Sequence, residues 1–297
     1  MPVYDQHYRL WTGKPTPRWR RWTVITRYHL RQLFSRKERY PLIILLNISG
    51  AVHLVFLAVI YISANLDLLA FWGIPAKAFP KINREFFATM FMPQGFICGL
   101  LTLIVGSGLI ADDRRDNAIP LYLSKPLTPT EYLLGKFGTL AFFLLAVTAL
   151  PINLLFLCEV FIHGGWPFFK VNWWLPFGIT AFSVVIAALC GAVILMASSL
   201  VKKAAPAGVL VIGLFIGHNV LAGILGDVFK NRRFIMVSLQ FDLFRVALWL
   251  LGVKAAESRA VRNLPFSGPE ALLVILAVVV VCWVIVWRRI RPVEVVK

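Results

Sequence analysis

The feature that most constrains this chain is a set of six long windows that contain no Asp, Glu, Lys or Arg. The windows cover residues 41–66, 86–111, 137–158, 171–201, 204–226 and 271–287. A helix needs about 20 apolar residues to cross the hydrocarbon core of a bilayer. Five windows reach that length, and Trp283 and Trp287 can anchor the shorter sixth at an interface. The pattern predicts an all-α integral membrane protein with six transmembrane helices, at about 41–66, 87–111, 137–158, 173–200, 204–226 and 270–287.

The net charge of +17 is unevenly placed along the chain. Residues 1–40 hold ten Lys or Arg against two acids, and further basic residues follow the last window and fill the loops at 112–136 and 202–203. Cytoplasmic loops are enriched in such residues, so both termini and these loops are expected in the cytoplasm, most naturally at a bacterial plasma (inner) membrane. Nucleic acid is not an expected partner, because the basic residues flank membrane spans.

One loop departs from this charge pattern. Residues 227–268 should be external, yet they hold seven Lys or Arg. Within this loop, 234–253 is mostly apolar and could form an interfacial helix, a re-entrant pair buried in protein, or a seventh span. A seventh span would place the Arg-rich C-terminus outside, which disfavours that alternative.

The chain divides into a cytoplasmic segment at 1–40 and a six-span domain at 41–297. Residues 18–39 have the pattern of an amphipathic helix. Its apolar face holds Trp22, Ile25, His29 and Leu33, and its basic face holds Arg20, Arg27 and Arg31. Such a helix is expected to lie on the inner leaflet, with tryptophan among the headgroups and arginine facing anionic lipid.

The sequence carries no recognisable catalytic motif. It lacks HExxH, GxSxG and the Walker A pattern GxxxxGK[ST], so neither enzyme activity nor nucleotide hydrolysis by the chain itself is expected. The six windows contain no acidic residue, which disfavours proton- or sodium-coupled transport. Two isolated histidines do not make a metal site, and no bound cofactor is expected.

Polar residues inside the windows allow two interpretations. Asn47, His53, His218 and Asn219 either satisfy neighbouring helices, which is the usual role of such groups, or line a substrate path. Two GxxxG pairs, Gly95 with Gly99 and Gly213 with Gly217, allow close backbone approach, either within the chain or between subunits.

The loop between the second and third windows has unusual internal order. A charge cluster at 112–116 precedes a short amphipathic turn at 118–123, and Thr128, Pro129 and Glu131 match a capping box that starts a helix. A membrane pathway without its own energy source needs a cytoplasmic partner, and this loop is the best place for one. Aromatic and Arg residues dominate binding energy at interfaces, which points to Tyr122 with Arg114 and Arg115 as anchors.

The run LIADDRRDNAIPLYLSKPLTPTEYLLGK, residues 109–136, resembles the cytoplasmic loop of ABC-2-type transporter permeases. In that family a charge cluster is followed by a short helix, a Pro-containing turn, an acidic-aromatic pair and a Gly-Lys at the next span. The last three elements are Lys125-Pro126, Glu131-Tyr132 and Gly135-Lys136 here. Many members carry Gly-Thr after the charge cluster, where this chain has Asn117-Ala118, although Asn is a good N-cap.

The resemblance implies a permease subunit of an ABC transporter, of the exporting kind, paired with a second permease protomer in a homo- or heterodimer. A separate cytoplasmic ABC ATPase would bind the ATP and dock on the first cytoplasmic loop, whose coupling helix maps onto residues 117–124. The coupling residues would be Asp112, Asp113, Arg114, Arg115, Asn117, Leu121, Tyr122, Lys125, Pro126, Glu131 and Lys136. The competing interpretation is a membrane scaffold or regulatory subunit that binds a partner through the same loop and transports nothing.

Overall fold

All regular structure in the described part of the chain is helical. The structure is a computed structural model, and it describes residues 17–35, 39–65, 67, 71, 73, 75, 79–124, 127–254 and 258–290. The helices are α1 (Arg21–Ser35), α2 (Arg39–Ala64), α3 (Arg84–Thr89), α4 (Phe91–Gly106), α5 (Gly108–Arg115), α6 (Ala118–Leu123), α7 (Pro129–Val147), α8 (Ala149–Glu159), α9 (Gly165–Asn172), α10 (Leu175–Leu200), α11 (Ala204–Phe229), α12 (Leu239–Leu250), α13 (Arg259–Asn263) and α14 (Gly268–Arg289).

Among the described residues, six helical stretches are long and apolar enough to cross a membrane, which confirms the predicted fold class. They are α2, the α3–α5 stretch Arg84–Arg115, the stretch Pro129–Ile162 that begins with α7 and α8, then α10, α11 and α14. The second and third stretches are interrupted at Met90 and Thr148, each three residues before a proline. A proline has no backbone N–H for the carbonyl four residues earlier, so these interruptions follow from Pro93 and Pro151.

Helix α10 is the centre of the bundle and the most buried of the six spans. It contacts α4, α5, α7, α8, α11, α12 and α14. Small residues let its neighbours approach, because a Cβ added at Gly191 would lie 2.5 Å from the Phe137 ring. Helix α11 is the least buried span and leaves most of its surface uncovered.

Helix α1 packs along α7, not on a free surface. Ile25 and His29, from the predicted apolar face, are buried, and the Thr26 hydroxyl donates to the Gly135 carbonyl at 2.9 Å. This approach depends on glycine, since a Cβ at Gly135 would lie 2.6 Å from the Ile25 Cβ. The structure has a helix at the position of the predicted amphipathic helix, with Ile25 and His29 packed against protein, and its position on the inner leaflet stays a prediction.

We expect Gly135→Ala to lower the free energy of unfolding by about 1–3 kcal/mol, the usual cost of an oversized group in a packed site. The added methyl would also stand 2.9 Å from the Trp22 carbonyl oxygen, which cannot move without shifting α1. Thermal unfolding in detergent measures the loss of stability, and faster proteolysis between α1 and α2 reports the release of α1 from α7. Gly50→Ala is the control, because nothing lies within 4 Å of its added Cβ. Equal loss in both variants would contradict the α1–α7 contact.

Residues 230–253 enter and leave the bundle at one end, as a re-entrant segment. Lys230 takes a left-handed conformation that ends α11, and the turn Arg232–Val237 runs back along that helix. The Ser238 hydroxyl then bonds the Asn219 amide oxygen, about 15 Å inside the end of α11 at 1.5 Å per residue. Helix α12 returns from there, and the Leu250 carbonyl accepts from the Trp174 indole at the start of α10 at 3.2 Å. Of the three alternatives for this loop, the structure has the re-entrant one.

Candidate functional site

The charge cluster at 112–116 divides into an outward and an inward set. Arg115 lies outside, with ion pairs to Asp112 at 3.1 Å and Asp116 at 2.9 Å. Arg114 instead donates to the Ser199 carbonyl at the end of α10, and the Asp113 side chain is only 13% exposed. The sequence assigned the whole cluster to a partner surface, which stays a prediction; in the structure Arg115 is exposed, whereas Asp113 and Arg114 are partly buried by contacts within the chain.

A buried ion pair joins the end of α5 to the first turns of α7. The Lys136 ammonium, fully buried, lies 2.5 Å from the Asp113 carboxylate. The same carboxylate oxygen accepts a hydrogen bond from the Tyr132 hydroxyl at 2.6 Å. Charges removed from water need such partners, so Asp113, Lys136 and Tyr132 form one interdependent group, the ion-pair cluster.

The short helix α6 rests on the ion-pair cluster. The Tyr122 ring packs against the Tyr132 ring with centroids 5.4 Å apart, and the Lys136 ammonium lies 5.8 Å from the Tyr122 ring centroid. Burial, followed by the Asp113 carboxylate, raises the pKa of the Tyr122 phenol, so it stays neutral. Leu121 points the other way and is 68% exposed. A short helix is therefore present where the coupling helix was expected, with the Leu121 side chain exposed and the Tyr122 side chain half-buried.

The ends of α6 differ from the expectation in one detail. Asn117 makes no side-chain cap; it adopts a left-handed backbone conformation with φ 51°, which asparagine tolerates better than most residues. Ser124 closes the helix through its N–H to the Pro120 carbonyl at 2.8 Å. Lys125 and Pro126 lie outside the described residues.

Helix α7 begins with the predicted capping box. The Thr128 hydroxyl accepts from the Glu131 N–H at 3.2 Å, and the Glu131 carboxylate accepts from the Thr128 N–H at 2.8 Å. Glu131 therefore fixes the start of α7, eight residues before the charge-free window begins.

Ser198 was not singled out from the sequence, yet it ties this site to α10. Its hydroxyl accepts from the Ile110 and Ala111 N–H groups at 3.0 and 2.8 Å and donates to the Ser107 carbonyl at 2.8 Å. Ser107 separates α4 from α5, so its carbonyl is available for this bond. A small polar residue at the end of a span is a weak signal that sequence reasoning cannot separate from ordinary packing.

The four polar residues of the suggested substrate path fall in separate places. The His53 Nδ1 atom lies 2.7 Å from the Ser49 carbonyl and 3.1 Å from the Gln94 amide nitrogen, between α2 and α4. The Asn47 amide donates to its own helix at the Ile43 carbonyl. His218 and Asn219 line an apolar groove of about 740 Å³ between α4, α10, α11 and α14. The structure brings these last two together, and not with the other two.

Comparison with known proteins decides the family. The sequence profile described as ABC-2 family transporter protein matches residues 49–289, well over half of the chain. This chain belongs to the ABC-2 transporter family. A search of curated proteins gave no match. As a member of this family the chain is the permease subunit of an ABC transporter and an integral membrane protein, and ABC ATPases are the general partners of such permeases.

Proposed function

We propose that this ABC-2 permease is driven by a separate ABC ATPase that docks on α6 and the outward side of the charge cluster, and that it works as an exporter. The observation that carries this is the arrangement of α6: a six-residue helix with Leu121 exposed and Tyr122 anchored beneath it. A helix that is packed against the bundle on one face and exposed on the other can transmit a displacement from a partner to the bundle. Arg115 supplies a charged rim beside that apolar point.

We place the α6 end of the bundle in the cytoplasm of a bacterial cell, with both termini on that side. Exposed Lys202 and Lys203 lie between α10 and α11, and Arg288 and Arg289 end α14. With six spans, these basic segments all fall at the end that holds α6. This distribution agrees with the enrichment of Lys and Arg in cytoplasmic loops.

We infer that two such permeases pair in the membrane, as homo- or heterodimer, and that α11 lies at their contact. Helix α11 is the least buried span, and nothing lies within 4 Å of a Cβ built at Gly213 or Gly217. Small residues four apart favour close helix contacts in lipid. His218 and Asn219 sit on the same helix, so a substrate path at this contact would include them; Asn47 and His53 remain candidates from α2.

The energy for transport would enter as a difference in affinity. Closure of two ATPase subunits favours one arrangement of the two α6 helices over the other, and the permease follows the arrangement that binds better. The spans behind α6 then move as rigid bodies and open the path between protomers. ATP stays on the partner, so the permease needs no cofactor of its own.

The test is reconstitution with an ABC ATPase, sought first among the genes next to that of this permease. We expect a stable complex whose ATPase activity drives loss of substrate from cells, or uptake into inverted vesicles. A cysteine introduced at Leu121 should be labelled only from the cytoplasmic side. A complex that hydrolyses ATP but moves no compound across the membrane would favour the scaffold alternative. Labelling of that cysteine from outside would reject the docking surface.

A further inference from the structure

The ion-pair cluster lies beneath the proposed docking surface and is largely shielded from it. Lys136 is fully buried and Asp113 is nearly so, and the face of α6 that carries Leu121 points away from both. A surface loop that only binds a partner has no need of a buried charge pair beneath it. Replacing such pairs with apolar residues is often neutral or stabilising, so their presence does not by itself indicate stability.

The cluster adds polar and ring contacts between three segments of the chain. Asp113 belongs to α5, at the end of the second span, and Lys136 and Tyr132 belong to α7, at the start of the third. Tyr122 adds α6, through its ring contacts with Tyr132 and Lys136. The link from α6 is directional, since an ammonium is attracted to the ring face and loses that attraction when the ring slides away.

We propose that Asp113, Lys136, Tyr132 and Tyr122 form a charged latch that makes α6 and the adjoining ends of the second and third spans move together. This inference rests on the proposed function and specifies its transmission step. Asp113, Lys136 and Tyr122 are then positioning residues and not partner contacts. While the Tyr122 ring stays in contact with the cluster, displacement of Leu121 by the ATPase also displaces α5 and α7. When the Tyr122 ring leaves the cluster, α6 moves alone.

The critical variant is Asp113→Asn combined with Lys136→Met. It removes both charges, leaves no unpaired ion, and keeps an acceptor for the Tyr132 hydroxyl. Tyr122→Leu is the second variant, which removes the α6 side of the latch and leaves the ion pair intact. Ser258→Ala is the control, because it deletes polar contacts from a different part of the bundle: a part-buried 2.6 Å hydrogen bond to Glu85 and the N-cap of α13.

The first measurement uses the permease alone in lipid nanodiscs. We expect amide hydrogen exchange in 118–124 to become at least about tenfold faster in both latch variants, the change that loss of one charge-assisted contact produces. Exchange in α10 and in the control variant should stay at the wild-type rate. Unchanged exchange of 118–124 in both latch variants would overturn the latch, whatever the partner does.

The second measurement uses the complex with its ATPase trapped by vanadate. In wild type, trapping should alter exchange in α6, α5 and the start of α7 together. In the double variant the ATPase should still bind, but trapping should alter amide exchange in α6 only. If trapping still alters amide exchange in α7 of the double variant, the latch proposal is wrong. Failure of any complex to form would reject the proposed function, while the first measurement would still decide whether the latch exists.

Discussion

Replacing Lys136 alone with methionine is expected to lower the free energy of unfolding by about 3–5 kcal/mol, the usual cost of breaking a buried ion pair from one side. Methionine matches the lysine stem in length but leaves the Asp113 carboxylate, 13% exposed, with no ion-pair partner in the described part of the chain. An uncompensated charge there must be solvated or protonated, and either requires α5 to move away from α7. Unfolding in mixed detergent micelles, followed by tryptophan fluorescence, measures the loss.

Two comparisons give this prediction its specificity. Lys202→Met removes an exposed lysine at the same end of the bundle and should change stability by less than about 0.5 kcal/mol, as is usual for surface sites. Adding Asp113→Asn to Lys136→Met should recover most of the lost stability, because no buried charge then remains. Additive losses in the double variant would mean that the two side chains act independently, and the ion pair would not have the importance given to it.

The role of Lys136 illustrates what the sequence could not supply. In the sequence it is a basic residue just before a charge-free window, which is typical of a cytoplasmic membrane edge. Its partner Asp113 is 23 positions earlier, inside a cluster of five charged residues in which no sequence signal separates Asp113 from Asp112 or Asp116. Only the turn through α6 brings the two together. The sequence pattern locates the charged residues, but it does not indicate which of these side chains is buried.

Local patterns were informative where the cause is local. The absence of charge over about 20 residues located all six spans, and the capping box at Thr128 located the start of α7 better than hydropathy did. For α1 the period gave the apolar face but not what covers it. The signal that was missed lies in α7, where Gly135 and Gly138 leave room for Thr26 and Trp22 to approach. Both glycines could be read from the sequence, but their contact with α1 is nonlocal.

Leu121 and Tyr122 show the same limit at the docking surface. Both are large and apolar, and interface statistics favour the tyrosine as an anchor. Adjacent residues of a helix point about 100° apart, so Leu121 and Tyr122 have different surroundings. The structure buries Tyr122 against Tyr132, which leaves the outward position to Leu121.

Leu121→Asp is therefore expected to weaken ATPase binding by roughly 30- to 1,000-fold, which corresponds to a central contact of about 2–4 kcal/mol. The substitution puts a charge at the position that an apolar groove of the ATPase is expected to cover. The contacts of Tyr122 on the buried side of α6 are unchanged. Affinity is measured by titrating labelled ATPase into nanodiscs that hold the permease. Arg115→Glu should lose less, and its loss should shrink at high salt, because the residue is exposed at the rim.

Thr130→Asp is the matched control for this charge. It places a carboxylate in the first turn of α7, where an exposed acid is well tolerated, at the same end of the bundle. Binding should then stay within about threefold of wild type, a difference well under one hot-spot contact. If Leu121→Asp and Thr130→Asp weakened binding equally, the effect would be one of net charge near the membrane. If neither did, the ATPase would have to grip another part of this end, and α6 would be held in place for a different purpose.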